Sequence, residues 1–188
     1  IHVTPIWSIF DGSERIPRDG NDFLAETPAR KDRFIVQYSG NVGVTHHVEA
    51  LLDVAERLLD DPRFLIQIIG RGPRENAIRE KARLRGLANV ELLPFQSDER
   101  FIHSLSAAHV GVVALNPLAG HSSLPSKSYN LMALGIPALY IAAPDSELAQ
   151  YARRYRNGAC FEPGDVDGMA DFLRSVQADP ERYRRLSD

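Results

Sequence analysis

The chain has 188 residues, 44% of them hydrophobic and 25% charged, with a formal net charge of −3 and a pI near 6.1. That length suits one well-buried domain, and the slightly acidic balance excludes nucleic acid as the principal partner, because a phosphate backbone recruits strongly basic surfaces. Cys160 is the single cysteine, which excludes an intrachain disulfide and a cysteine-rich zinc site and fits a reducing cytoplasm.

Residues 1–33 are the least regular part, with prolines at 5, 17 and 28 and glycines at 12 and 20. They read as an interdomain linker, Ile1 to Phe10 being a short strand or a connection packed against the domain, and the domain itself is expected over residues 34–188. The numbering starts at Ile1 rather than methionine, which suggests a piece of a longer polypeptide, and no signal peptide is visible. Phe101 to Ser126 and Ser128 to Pro144 lack Asp, Glu, Lys and Arg. Histidine, asparagine, proline and glycine interrupt them, so neither offers the ~20 consecutive apolar residues of a membrane span.

From Phe34 the pattern is strand, turn, helix, repeated. Phe34 to Tyr38 is β-prone and ends in Ser39-Gly40-Asn41-Val42-Gly43. Val48, Leu51, Leu52, Ala55, Leu58 and Leu59 then recur at helical spacing, with Thr45 as N-cap. The second unit is a strand over Phe64 to Ile69, the turn Gly70-Arg71-Gly72-Pro73, and a helix starting at Pro73 and closed by Gly86. A third strand over Val90 to Leu93 precedes Pro94-Phe95-Gln96 and a helix from Asp98 to Ala108. Val110 to Leu115 and Ala138 to Ala142 are strands four and five. Ser146 to Arg154 reads as a helix, Gly158 to Phe161 as a sixth strand, and Val166, Met169, Ala170, Leu173 and Val176 as a last amphipathic helix.

Between strands four and five lies the stretch on which the functional reading centres. Serines 122, 123 and 126 can cap a helix whose first turn holds Pro125, while Gly135 suits a left-handed C-cap and Pro137 stops the helix. Lys127 is out of place there, because the positive end of a helix dipole disfavours a cation. An anion held by free N–H groups and the ammonium together would account for it. Asn130, three residues on and on the same face, could then hydrogen-bond a neighbouring hydroxyl.

Strands alternating with helices predict a Rossmann-like three-layer α/β/α fold with a mainly parallel, six-stranded sheet. Right-handed crossovers then gather every strand-to-helix loop at one edge, where such sheets bind ligands. Gly40 to Gly43 would let the backbone approach a phosphate. Arg71, Arg74 or Lys127 could meet a diphosphate. Gly70-Arg71-Gly72-Pro73 is not the dinucleotide fingerprint, since Glu75 stands where a third glycine belongs. His46-His47 lacks a third ligand at useful spacing, so no metal site is expected. His121 could touch a substrate. Ser122 and Ser123 have no nucleophile-elbow context. The basic runs Arg153-Arg154-Tyr155-Arg156 and Arg182-Tyr183-Arg184-Arg185 read as solvated faces, with peripheral contact to an anionic membrane as the alternative.

Taken in order, Tyr38-Ser39-Gly40-Asn41-Val42-Gly43, Ile69-Gly70-Arg71-Gly72-Pro73, Asn89 to Gln96, Pro125-Ser126-Lys127 through Gly135-Ile136-Pro137, and Pro163-Gly164-Asp165 resemble the C-terminal half of group 1 (family 4) glycosyltransferases. The likeness is strongest to the branch that builds exopolysaccharide and O-antigen units. It implies one half of a GT-B enzyme, retaining and metal-free, needing no cofactor beyond its donor, a UDP-, GDP- or ADP-sugar. A separate N-terminal half would carry the glycan or lipid-linked acceptor. The resemblance gives Lys127 a catalytic role against the leaving group's charge. It places Gly40, Asn41 and Gly43 at the diphosphate, with Arg71 left to compensate there and Ser126 among the donor-binding residues, Phe95 and Gln96 beside the nucleobase, and Asn130 where many relatives have a glutamate for the ribose. Ser122 and Asn130 replace the family's two glutamates, and Val44 and Thr45 replace a basic residue after the glycine turn. Two alternatives follow from those departures and the shared architecture: a UDP-sugar 2-epimerase, and a non-catalytic domain that binds nucleotide-sugars or mediates assembly.

Overall fold

A computed structural model describes residues 8–10, 13–43, 47–115 and 125–188. Six parallel strands form one sheet: β1 (Phe34–Asn41), β2 (Phe64–Arg71), β3 (Val90–Leu93), β4 (Val110–Ala114), β5 (Ala138–Ile141) and β6 (Gly158–Phe161), in the spatial order β3-β2-β1-β4-β5-β6. The helices are α1 (Asp22–Ala25), α2 (Ala50–Arg57), α3 (Glu75–Leu84), α4 (Asp98–Ala107), α5 (Ser126–Ala133), α6 (Glu147–Tyr155), α7 (Val166–Ala178) and α8 (Pro180–Ser187). The expected sheet is thus present, and all of its pairings are parallel.

Side chains alternate across the pleat, which splits the core in two. Val36, Tyr38, Phe64, Ile66 and Val112 pack with α2 and α7 on one face. On the other, Val113, Ala138 and Tyr140 pack with α5 and α6, and Ile35, Leu65 and Ile69 pack with α1 and the end of α4. The strand order reverses between β1 and β4, the kind of crevice in which doubly wound sheets bind ligands.

Two departures from the sequence reading have local causes. Pro73 lies ahead of α3, whose first residue is Glu75, because Val42 draws this turn into the sheet rim: Arg74 N–H donates to its carbonyl at 3.3 Å. Helix α8 was not among the expected elements, although Asp179 caps it through its carboxylate and Pro180 opens it. Its apolar contribution to the core is only Tyr183 and Leu186, too few for a periodic signal.

Residues 13–33 pack against the sheet's edge through polar contacts as well as apolar ones. Gln37, Gln67 and Glu91 are in register on β1, β2 and β3. Gln37 donates to Gln67 at 3.0 Å and Gln67 to Glu91 at 2.7 Å. Buried Arg30 closes the chain, its Nη2 meeting the Glu91 carboxylate at 2.5 Å while its guanidinium covers the Phe23 ring. A buried guanidinium needs such a partner.

At the carboxyl ends of β1 and β2 the two loops touch. A Cβ on Gly70 would lie 1.8 Å from the Gly40 carbonyl oxygen, and one on Gly72 would lie 2.4 Å from that of Val42. Gly70→Ala is therefore expected to destabilise the fold by about 2–3 kcal/mol, whereas Gly20→Ala, with nothing within 4 Å, should stay within about 0.5 kcal/mol. Urea denaturation of both variants checks this.

Candidate functional site

Helix α5 owes its position to a glycine under it. Leu131 packs so closely on Gly111 of β4 that a Cβ there would lie 2.2 Å from its Cδ2. Pro125 precedes the helix without a side-chain cap, and Gly135, at φ 57°, ends it in the left-handed conformation expected of it. Every other α-helix of the structure has an acidic residue in its first turn. The first turn of α5 has none and carries Lys127 instead.

The Lys127 side chain crosses the end of β1. Its ammonium donates to the Tyr38 hydroxyl at 2.8 Å and lies 4.1 Å from the centroid of the Tyr38 ring. The Tyr38 hydroxyl in turn donates to the Asn41 carbonyl at 2.6 Å. Gly40 leaves the room: a Cβ on it would lie 2.3 Å from Lys127 Cε. So the glycine turn and the lysine-bearing helix tip share one place at the switch point, and one phenol fixes both.

Among the described residues no carboxylate pairs with Lys127. Burial alone lowers its pKa from 10.5 to about 8. The same burial raises that of Tyr38 well above the ordinary phenol range. The lysine therefore keeps a removable proton near neutrality, and its charge is compensated only by a hydroxyl and a ring face, both weak partners. An anion at the mouth would supply the missing charge. In the first turn of α5 the Ser128 N–H donates to the Pro125 carbonyl at 3.0 Å, and the N–H groups of Ser126 and Lys127 precede the first intrahelical bond.

The other expected contacts distribute along this rim. Asn41 is exposed beside Arg71 in register, and Gly43 is buried in the turn. Arg71 is exposed, its guanidinium 5.4 Å from the centroid of the Phe95 ring, and Phe95 is 55% exposed. Gln96 donates to the Pro94 carbonyl at 2.7 Å. Arg74 is held by Glu49 at 2.5 Å, which leaves Lys127 and Arg71 as the cations available to a ligand. Ser126 is exposed at the tip of α5. Asn130 lies on that helix as expected, but its Oδ1 already accepts from Ser8 Oγ at 3.0 Å and from the Ile9 N–H at 3.3 Å. Thr45, Val44 and His46, the residues 116–124 with His121, Ser122 and Ser123, and residues 1–7 lie outside the described residues. Among the described residues no group of three or more His, Cys, Asp and Glu is placed to hold a metal, and no helix is long and apolar enough to cross a membrane.

The residue that sequence reasoning missed is Tyr38. It looked like an ordinary strand aromatic, and only its place two positions before Gly40 marked it.

The chain belongs to a known family: residues 21–188 match the model of glycosyl transferases group 1. WcaI of Escherichia coli (strain K12), a glycosyl transferase named for colanic acid biosynthesis, is 31% identical over 143 residues, 76% of this chain and 35% of its own length. The chain thus spans about a third of that relative. Among solved structures, Anabaena Alr3699/HepE in complex with UDP and glucose superposes with a TM-score of 0.77 at 13% identity, over 93% of this chain and 46% of that one. The C-terminal domain of the group 1 glycosyl transferase LpcC from Francisella tularensis superposes at 0.63 with 17% identity, over 82% and 80% respectively. These likenesses establish the Rossmann-like half of a GT-B fold.

A lysine that titrates near 8 when folded and near 10.5 when unfolded makes the folded chain bind fewer protons between those values. The penalty on its charge is full below pH 8 and is relieved as the pH rises through that window. Lys127→Met is accordingly expected to stabilise the ligand-free fold by about 1–3 kcal/mol at pH 7, the advantage shrinking toward pH 10. Thermal unfolding of both proteins across this range measures it.

Proposed function

We propose that this chain is the nucleotide-sugar-binding half of a retaining glycosyltransferase that moves a sugar onto a glycan or polyprenyl-linked acceptor in bacterial polysaccharide synthesis. The observation that carries the reading is a part-buried ammonium with no counter-charge among the described residues, set against a glycine turn at the switch point of a doubly wound sheet. Family membership supports it, as does the UDP seen with the structural relative from Anabaena. The donor is a UDP-, GDP- or ADP-sugar, and the reacting end of the acceptor sits on a second half of the protein, on the cytoplasmic side of the membrane and in peripheral contact with it.

In this reading the diphosphate lies across the Gly40–Gly43 turn and the tip of α5, with Ser126 at its edge. Lys127 faces the leaving group and stabilises the negative charge that grows as the glycosidic bond breaks. The acceptor hydroxyl attacks from the same face of the sugar, so configuration is retained. Phe95, braced by Arg71, offers its exposed face to the nucleobase, and Gln96 and the amide nitrogen of Asn130 offer hydrogen bonds to base and ribose. Charge stabilisation falls to the lysine and the backbone N–H groups, with no metal in the mechanism. Alone, this half binds donor without transferring it, because transfer needs a positioned acceptor.

Calorimetry with UDP, GDP and ADP on the wild type and on Lys127→Ala tests the reading. One nucleoside diphosphate is expected to bind, and Lys127→Ala to weaken it by at least about tenfold. Because the bound anion favours the protonated lysine, wild-type affinity should fall by up to about tenfold per unit as the pH rises above 8, and that of Lys127→Ala should stay flat. Binding by none of the three would favour the non-catalytic alternative, and equal binding by both proteins would remove Lys127 from the site.

A further inference from the structure

Beside the lysine-bearing helix lies a second concavity, a groove of about 300 Å3 between α5 and α6. Tyr129 of α5 forms one wall, and Glu147, Gln150, Tyr151, Arg154 and Tyr155 of α6 form the rest. Those five positions follow at three- and four-residue spacings, so they share one face of α6. The three tyrosines touch in sequence. The Tyr129 and Tyr151 ring centroids are 5.8 Å apart and nearly perpendicular, and those of Tyr151 and Tyr155 are 4.5 Å apart. Tyr151 is nearly buried, with its hydroxyl on the Met132 sulfur. Tyr155 stands 44% exposed. Among the described residues only Phe95 is an aromatic of comparable exposure.

Around these rings the polar side chains are uncommitted. Neither Glu147 nor Arg154 forms an ion pair among the described residues. Arg154 does no more than lie over the Tyr155 ring, 5.4 Å from its centroid. The Gln150 amide reaches only the Asp145 carbonyl, at 3.5 Å. Arg57, Arg63, Arg83 and Arg100, by contrast, are each paired with a carboxylate. A set of aromatic faces fringed by a free carboxylate, a free carboxamide and a free guanidinium is suited to one chemical class. A pyranose ring has faces of C–H groups that lie against tyrosine, and an equator of hydroxyls that bond to planar donors and acceptors in pairs. Glu147 disfavours a phosphate there, and a purely apolar segment would strand all three polar groups.

The place is as informative as the lining. Glu147 is the first residue of α6 and Tyr129 the fourth of α5, so the groove begins at the same rim of the sheet as Lys127. We propose that this tyrosine groove is a sugar-binding subsite that holds one pyranose unit of the acceptor glycan, while the reacting end of that glycan reaches the donor cleft. The assignment of the sugar to the acceptor rests on the glycosyltransferase reading above; the sugar-binding chemistry of the groove does not.

The 188-residue chain closes its own core on both faces of the sheet, so the test uses it directly. Saturation-transfer and amide-shift NMR is run with the methyl glycosides of glucose, galactose, mannose and fucose, with UDP calorimetry alongside. At least one glycoside is expected to bind in the ~mM range and to shift amides at Tyr129, Gln150 and Tyr155. Tyr155→Ala and, separately, Arg154→Ala should weaken it by about tenfold or more while UDP affinity is unchanged. Both side chains are exposed, and an unchanged amide spectrum away from the groove verifies that the variants fold. The inference is overturned if no glycoside shifts the groove, if the shifts survive both variants, or if they appear only around Lys127. Sugar binding without nucleotide binding would sink the donor reading and keep the groove; nucleotide binding without sugar binding would do the reverse.

Discussion

The contact between Lys127 and Tyr38 ties the site together. It crosses the sheet, because α5 packs on one face, over Gly111 of β4, and the Tyr38 ring packs on the other. A single phenol accepts from the lysine and donates to the Asn41 carbonyl, so the conformation of the glycine turn and the position of the cation are fixed by the same atom. Glycines at 40 and 111 make the approach feasible, one beneath the lysine's end and the other beneath Leu131. The site is therefore preorganised by packing, and a ligand meeting it need not gather its own partners.

That arrangement is unfavourable to the empty fold. A part-buried ammonium with no counter-charge among the described residues is one of the few features here that no structural need explains. Arg30, the buried charged residue among the described residues, is matched by the Glu91 carboxylate and a ladder of amides. A chain that neutralises one buried cation so fully and leaves another bare marks the second as reserved for something that arrives from outside. On the proposed reading, stability is exchanged for binding at this one place.

Much of this architecture was legible in the sequence because it is local. Strands of β-branched residues flanked by glycine turns, helices of period 3.6, and the Pro-Ser start and glycine stop of α5 each announce themselves over a few residues. Gly158–Phe161 reads the same in both descriptions. The site's anchor, Lys127, was visible as a cation at the wrong end of a helix. What stayed hidden depends on contacts between residues far apart in the chain. The Tyr38–Lys127 bond spans 89 positions and the Ser8–Asn130 bond 122, and the Gln37-Gln67-Glu91 ladder exists only once register is fixed. The same reason explains Gly70 and Gly72. Their spacing gave only an incomplete dinucleotide fingerprint, and their contacts show one loop packed on another. Short helices such as Asp22–Ala25 leave too little periodicity to be seen at all.

The most direct examination of the central claim is to titrate the Lys127 ammonium itself, by NMR of the selectively labelled side chain, with and without the nucleoside diphosphate that binds. A midpoint near 8 in the free protein, moving up by a unit or more when the nucleotide is added, is the expected result. A midpoint of ordinary lysine in the free protein, or one that the nucleotide leaves unmoved, would contradict the account.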